Sequence, residues 1–191
     1  MAALNPKPDE LRSPVKVSFD SATGGVIVLL AKPDFGFVDR PVRFQGKVFQ
    51  PKGELHISIL VQEAAEKVKK YLDDHPDEAY EIREIVDQTR WLYQKLDTYY
   101  HIEEEPEVET IIQMVEMPGL PAFFKDLSGK LKQGFVLPPT HVTLYTRGTE
   151  TGIALPSQEI FQQRVRSAIH PEEIQPEDDR PARLGADQGL A

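Results

Sequence analysis

Cysteine is absent from this chain of 191 residues. That excludes disulfides, thiol nucleophiles and thiolate metal sites within it. Long apolar runs are missing as well. The longest, Val26 to Ala31, is strand-length, whereas a bilayer span needs about 18–20 apolar residues, so no membrane partner is expected. Excess basic charge is also lacking: 22 Lys and Arg stand against 31 Asp and Glu, a formal net charge of −9. A protein that tracks a long polyanion presents a basic field, so no extended duplex is expected as a ligand. A small nucleotide or one RNA terminus remains compatible, because a local pocket outweighs the global field. There is no glycine-rich phosphate loop and no Ser-centred nucleophile elbow. Asp34-Phe35-Gly36 spells a kinase tripeptide without its context. The first residues lack the basic-then-apolar order of a signal peptide, and a cytoplasmic location is the default expectation.

What is present fits a water-soluble globular chain: 40% hydrophobic and 28% charged residues. The length allows one good-sized domain or two small fused lobes. Residues 1–14, with Pro6, Pro8 and Pro14, read as a flexible lead-in. Residues 171–191 hold Pro, Gly and many acidic residues and little apolar surface, so they read as a disordered acidic tail. Residues 15–170 are left as a single domain. Its expected strands are 25–32, 43–49, 54–61, 98–105, 108–117, 141–147 and a short one at 152–155. Its expected helices are 62–72, 76–96, 118–132 and 158–168, from apolar residues at helical spacing and from Pro and Ser at their starts. The two halves share a plan of strands, helices and one histidine-bearing strand, without a residue-by-residue repeat.

Two short strings stand out: His56-Ile57-Ser58-Ile59 and His141-Val142-Thr143-Leu144. Each reads histidine, apolar, hydroxyl, apolar, and each falls on an expected strand. Side chains i and i+2 of a strand share a face. His56 therefore stands beside Ser58 and His141 beside Thr143, with the aliphatic residues turned to the core. Facing each other, the strands would supply two imidazoles and two hydroxyls. Imidazole titrates near neutral pH, so one can act as base while the other acts as acid. Hydroxyls can donate hydrogen bonds to oxygens that gain charge.

Paired His-x-(Ser/Thr)-hydrophobic strings about 85 residues apart resemble the motifs of the 2H phosphoesterase superfamily. That superfamily includes 2′-5′ RNA ligase-like proteins and 2′,3′-cyclic nucleotide phosphodiesterases. Pro138-Pro139-Thr140-His141-Val142-Thr143-Leu144-Tyr145 looks especially like its second motif. The resemblance covers the layout from Gly25 to Ala168, but its specific part is the eight motif residues. Ser58 stands where Thr is the commoner hydroxyl. The resemblance implies an α+β, bilobal fold: two pseudo-symmetric antiparallel sheets with outer helices around a central cleft. It implies a metal-independent phosphoesterase acting on 2′,3′-cyclic phosphates or 2′-5′ linkages, by hydrolysis or reversible ligation, with no cofactor. His56 and His141 would be catalytic, and Ser58 and Thr143 would bind phosphate. The expected partner is a small nucleotide or RNA terminus, held by a monomer.

Tyr145 and Arg147 follow Thr143 by two and four residues. Simple alternation puts them on the same face as candidate substrate-binding groups, Tyr145 to stack a base or donate to phosphate and Arg147 to neutralise it. Phe35 and Phe37 are candidates for a base platform, with core anchoring as the blander alternative. His75, His101 and His170 have no neighbours at metal-ligand spacing and read as structural or exposed. The competing functional reading is a module that uses the same cleft to bind a nucleotide or RNA end without turning it over. The intact pair of histidines and hydroxyls favours catalysis, because binding needs no second proton-transfer group. A scaffold that recruits partners through its acidic tail is a third reading, supported by the tail alone.

Overall fold

The computed structural model describes residues 11–35 and 39–177. The fold is α+β, with two antiparallel sheets and, among the described residues, four α-helices. The smaller sheet has the order β1-β2-β5, made of β1 (Lys16–Asp20), β2 (Gly25–Leu29) and β5 (His56–Leu60). The larger has seven strands in the order β10-β3-β4-β8-β7-β6-β9. These are β3 (Val42–Phe44), β4 (Lys47–Pro51), β6 (Gln94–Glu105), β7 (Val108–Glu116), β8 (His141–Arg147), β9 (Val165–Ile169) and β10 (Gln175–Pro176). The helices are α1 (Glu63–Asp74), α2 (Ala79–Gln88), α3 (Leu120–Leu131) and α4 (Gln158–Arg164). No helix among the described residues is long and apolar enough to cross a membrane.

β1 and β2 form a hairpin closed by Asp20. Its carboxylate accepts from the Ala22 N–H and from the Thr23 hydroxyl, each at 2.9 Å. Gly24 then takes a φ of +74°, and a Cβ there would overlap the carbonyl oxygen of Ala65 on α1. A side chain at this point would push α1 off the small sheet. The stretch expected as one strand at 43–49 is instead a second hairpin, β3–β4. Gln45 and Gly46 have φ of 49° and 76°, and two consecutive positive φ values make the tight turn that matches strand twist.

This hairpin decides the architecture. It belongs to the first half of the sequence, yet β4 pairs with β8, with Pro51 opposite Tyr145. The two halves are thus interleaved in the large sheet. The Lys52 N–H donates to the Leu144 carbonyl at 2.9 Å, and three residues later the Leu55 carbonyl accepts from Leu30. The chain therefore steps from the large sheet to the small one within a few residues, which sets β5 beside β8.

Most of the buried apolar side chains form one core shared by both sheets and α1–α3, from Val26 and Ile57 to Phe123, Val142 and Leu144. A second, smaller cluster of Ile102, Ile112, Ile153, Leu155 and Phe161 lies on the other face of the large sheet. Within the larger core sits a buried polar knot. Glu109 accepts from His101 at 2.7 Å, Lys47 at 2.8 Å and Arg147 at 2.5 Å, drawing together β4, β6, β7 and β8. Burial pushes the Glu109 carboxyl up, but the hydrogen bonds from Lys47 and His101 outweigh it and hold it below the usual carboxylate range. Phe44 and Phe49 present their faces and edges around the His101 ring.

Several expected boundaries move. The helix expected to run to residue 96 ends at Gln88, because the Trp91 and Tyr93 side chains enter the core at alternate positions. Trp91 donates its indole N–H back to the Val86 carbonyl at 2.7 Å. The helix expected over 158–168 stops at Arg164, and Val165–Ile169 pairs with β6 instead. No strand forms at 152–155. Most of the expected lead-in lies outside the described residues, but Arg12 exchanges backbone hydrogen bonds with Tyr93. Residues 171–177 of the expected disordered tail are ordered. They form a 3-10 turn and then β10, which pairs with β3. Ile174 packs on the core and Glu177 accepts from Arg43 at 2.6 Å. The remainder of the tail lies outside the described residues.

Candidate active site

β5 and β8 carry the two histidine strings. Alternation holds along both: Ile57, Ile59, Val142 and Leu144 are all buried. The other face of the two strands opens into one pocket of about 220 Å³. His56, Ser58, His141 and Thr143 all line it. Two short segments 85 residues apart in sequence thus meet, because the step at Pro51–Leu55 places β5 against β8. The start of β8 is held by Thr140, which bonds to Val115 through both its carbonyl and its hydroxyl.

The two imidazoles are held differently. His141 donates from Nδ1 to the Pro139 carbonyl at 2.8 Å, which fixes the neutral tautomer and leaves Nε2 as acceptor. His56 Nδ1 is buried without a hydrogen bond. Glu54 Oε1 lies 3.4 Å from it. Burial pushes both imidazoles below their ordinary value. At His56 the Glu54 carboxylate opposes that shift and Lys52 adds to it. At His141 the Pro139 carbonyl opposes it and the charge of His56 adds to it. Both rings therefore hold a proton less readily than a free imidazole.

The structure adds residues to the site that the strings alone did not reveal. Lys52 and Glu54 line the pocket with His56 and Ser58. They lie in the bend between β4 and β5, outside either strand, so the period-two pattern of the first motif does not extend to them and no strand rule pointed to them. Lys52 donates to the Glu150 carbonyl at 2.7 Å. The opposite wall is Thr151–Leu155. Ile153 and Leu155 of this segment anchor in the smaller core. Gly152 lies against Thr143, and a Cβ on it would come within 2.6 Å of Thr143 Oγ1. Val61 completes the apolar part of the lining.

Tyr145 and Arg147 are not part of the pocket. A β-bulge intervenes: Ile112 pairs with Thr143, but the next residue of β7, Ile111, pairs with Tyr145. The extra residue on β8 reverses the alternation. Tyr145 turns into the large core, and Arg147 turns to Glu109, also reaching Glu107 at 3.5 Å. Phe35 is buried and stacks on Tyr93, with ring centroids 6.0 Å apart. Phe37 lies outside the described residues. Among those residues, no three His, Cys, Asp or Glu side chains cluster where they could share a metal ion.

The arrangement can therefore do three things: accept a proton at one imidazole, deliver one from the other, and donate two hydroxyl hydrogen bonds to an anionic group between them. No family model, curated protein or solved structure compared with this chain matches it.

Proposed function

We propose that the protein is a phosphoesterase that hydrolyses, or reversibly ligates, 2′,3′-cyclic phosphate or 2′-5′ phosphodiester linkages of small nucleotides or RNA ends without a metal. We assign it to the 2H phosphoesterase superfamily, with the two sheets as its two lobes around the pocket. One observation carries the proposal. His56, Ser58, His141 and Thr143 come from two remote strands and line a single pocket. An anion-binding module would need hydroxyls and positive charge; it would not need two neutral, partly enclosed imidazoles.

The phosphate sits between the hydroxyls of Ser58 and Thr143, which donate to its non-bridging oxygens as charge builds. One imidazole takes a proton from water, and the other gives one to the departing ribose oxygen. A pocket of 220 Å³ is smaller than the ~300–1,000 Å³ of typical ligand sites. It accommodates the phosphate and its immediate ribose and leaves the remainder of an RNA end outside.

The test is incubation in EDTA with 2′,3′-cyclic nucleotides, 2′-5′ oligonucleotides and RNA ending in a cyclic phosphate, with products followed by chromatography. Turnover that His56→Ala or His141→Ala abolishes supports the enzyme. Binding without turnover of any substrate favours the non-catalytic module. A requirement for a divalent cation overturns the proposed chemistry.

A further inference from the structure

The two imidazoles are not equivalent, and the difference lies in what faces each Nδ1. We infer that Glu54 is a positioning residue for His56, making His56 the group that protonates the leaving oxygen and His141 the base that activates water. The inference rests on the phosphoesterase reading of the pocket.

Lys52, Glu54, His56 and His141 are the charged and titratable side chains that line the pocket among the described residues. Two imidazolium ions in one small pocket repel, so the pair holds one proton more readily than two. The proton rests on the ring whose surroundings best stabilise a cation. His141 Nδ1 faces a neutral carbonyl, that of Pro139. This bond fixes the tautomer, and its acceptor carries no charge. His56 Nδ1 faces a carboxylate at 3.4 Å. A charged acceptor forms a hydrogen bond roughly twice as strong as a neutral one. The separation lies within ion-pair reach but lacks hydrogen-bond alignment, so the carboxylate engages Nδ1 fully once that nitrogen carries a proton. Lys52 disfavours a proton on His56, but its ammonium is held by the Glu150 carbonyl. When the pair takes up its one proton, His56 is the imidazolium, bonded through Nδ1 to Glu54. His141 is neutral, bonded through Nδ1 to Pro139. Each Nε2 is left for the substrate, one protonated and one not.

The reaction follows with its atoms in balance. His141 Nε2 takes a proton from water as the water oxygen forms its bond to phosphorus. The bond from phosphorus to the ribose oxygen breaks, and that oxygen takes the proton from His56 Nε2. One water has been added across one P–O bond. Solvent then carries the proton from His141 back to His56.

The test compares full-length wild type with Glu54→Gln, which keeps the size and polarity of the side chain and removes its charge. Histidine titrations are read by ¹⁵N NMR, and pH profiles of kcat/KM are read on 2′,3′-cyclic CMP. The expected result is that the His56 midpoint moves to lower pH in the variant, and that the high-pH limb of the rate profile moves with it. The low-pH limb, set by His141, stays in place. A purely structural role for Glu54 would lower the rate without displacing one limb. A midpoint shift at His141 in place of His56, displacement of the low-pH limb alone, or no shift at either ring overturns the inference. Wild-type protein that turns over none of the substrates overturns the acid assignment together with the function. The His56 titration would then still decide, independently, whether Glu54 pairs with it.

Discussion

Gly152 stands so close to Thr143 that a Cβ on it would lie 2.6 Å from the Thr143 hydroxyl oxygen. The wall segment therefore sets where that hydroxyl can point. Gly152→Ala should force the Thr143 side chain off its present position while leaving the fold intact. Misplacing a transition-state donor by about 1 Å costs on the order of 100-fold. The expected outcome is a loss of that order in kcat/KM on the cyclic-phosphate substrate, with an unchanged melting temperature. A variant as active as the parent would show that Thr143 does not contact the phosphate.

His56→Ala and His141→Ala should each lower kcat by about 10²- to 10⁴-fold, the range of general acid–base contributions. The double variant should lose little more than the worse single one, because residues that act as a unit are not additive. Steady-state rates of the three variants measure this. Independent, multiplying losses would mean that the two rings do not share one reaction step.

Tyr145 and Arg147 provide a contrast. Arg147→Gln should leave KM for the cyclic phosphate unchanged, since its guanidinium is directed to Glu109 and Glu107. Tyr145→Ala should lower stability by about 3–5 kcal/mol, the usual cost of emptying a large buried aromatic site. Urea denaturation and a substrate titration distinguish these outcomes. A large rise in KM for Arg147→Gln would place that residue back at the phosphate.

Glu109 is buried and accepts from three donors. Glu109→Ala leaves those donors without their shared acceptor. Breaking a buried pair costs about 3–5 kcal/mol, and the lower end is expected because Lys47 and Arg147 are partly exposed and can turn to water. The midpoint of urea denaturation at pH 7 reads the loss. A change within experimental scatter would mean that the knot serves no structural purpose.

Stability should fall as pH drops through the ordinary histidine value, about 6.5. Folding lowers the affinity of His56 and His141 for protons. Below that value the unfolded chain binds protons that the folded one refuses, so ΔG of unfolding decreases with falling pH. The loss stops growing once pH is below the folded values. At and above neutral pH both states are neutral at these rings, and the contribution is flat. His56→Asn with His141→Asn should flatten the slope between pH 7 and 5, measured by thermal melts. An unchanged slope would mean that the rings are not shielded from solvent.

Much of the site was legible from a few local residues. Strand alternation is a property of the backbone, so His56 with Ser58 and His141 with Thr143 follow from spacing alone, as does the burial of Ile57, Ile59, Val142 and Leu144. The same rule misplaced Tyr145 and Arg147. It assumes unbroken pairing, and the bulge opposite Ile111 and Ile112 arises from how β7 and β8 register against each other. Lys52 and Glu54 were beyond the rule, since they lie in the bend between β4 and β5 and reach the pocket through the step between the sheets. Gly152 was beyond it too, because its importance comes from packing against a strand that precedes it and carries no local signal.

The sequence by itself determined the small repeating geometry: which side chains of each histidine string share a face, and that two imidazoles and two hydroxyls offer proton transfer and hydrogen-bond donation. Tertiary structure alone decided that these four groups meet, that the β3–β4 hairpin joins the second half's sheet, and that β9 is a strand and not the end of a helix. The physical reason is range. Faces and turns depend on torsions of neighbouring residues, whereas register, sheet order and the partner of each Nδ1 depend on contacts between segments far apart in the chain, which only the packed fold brings together.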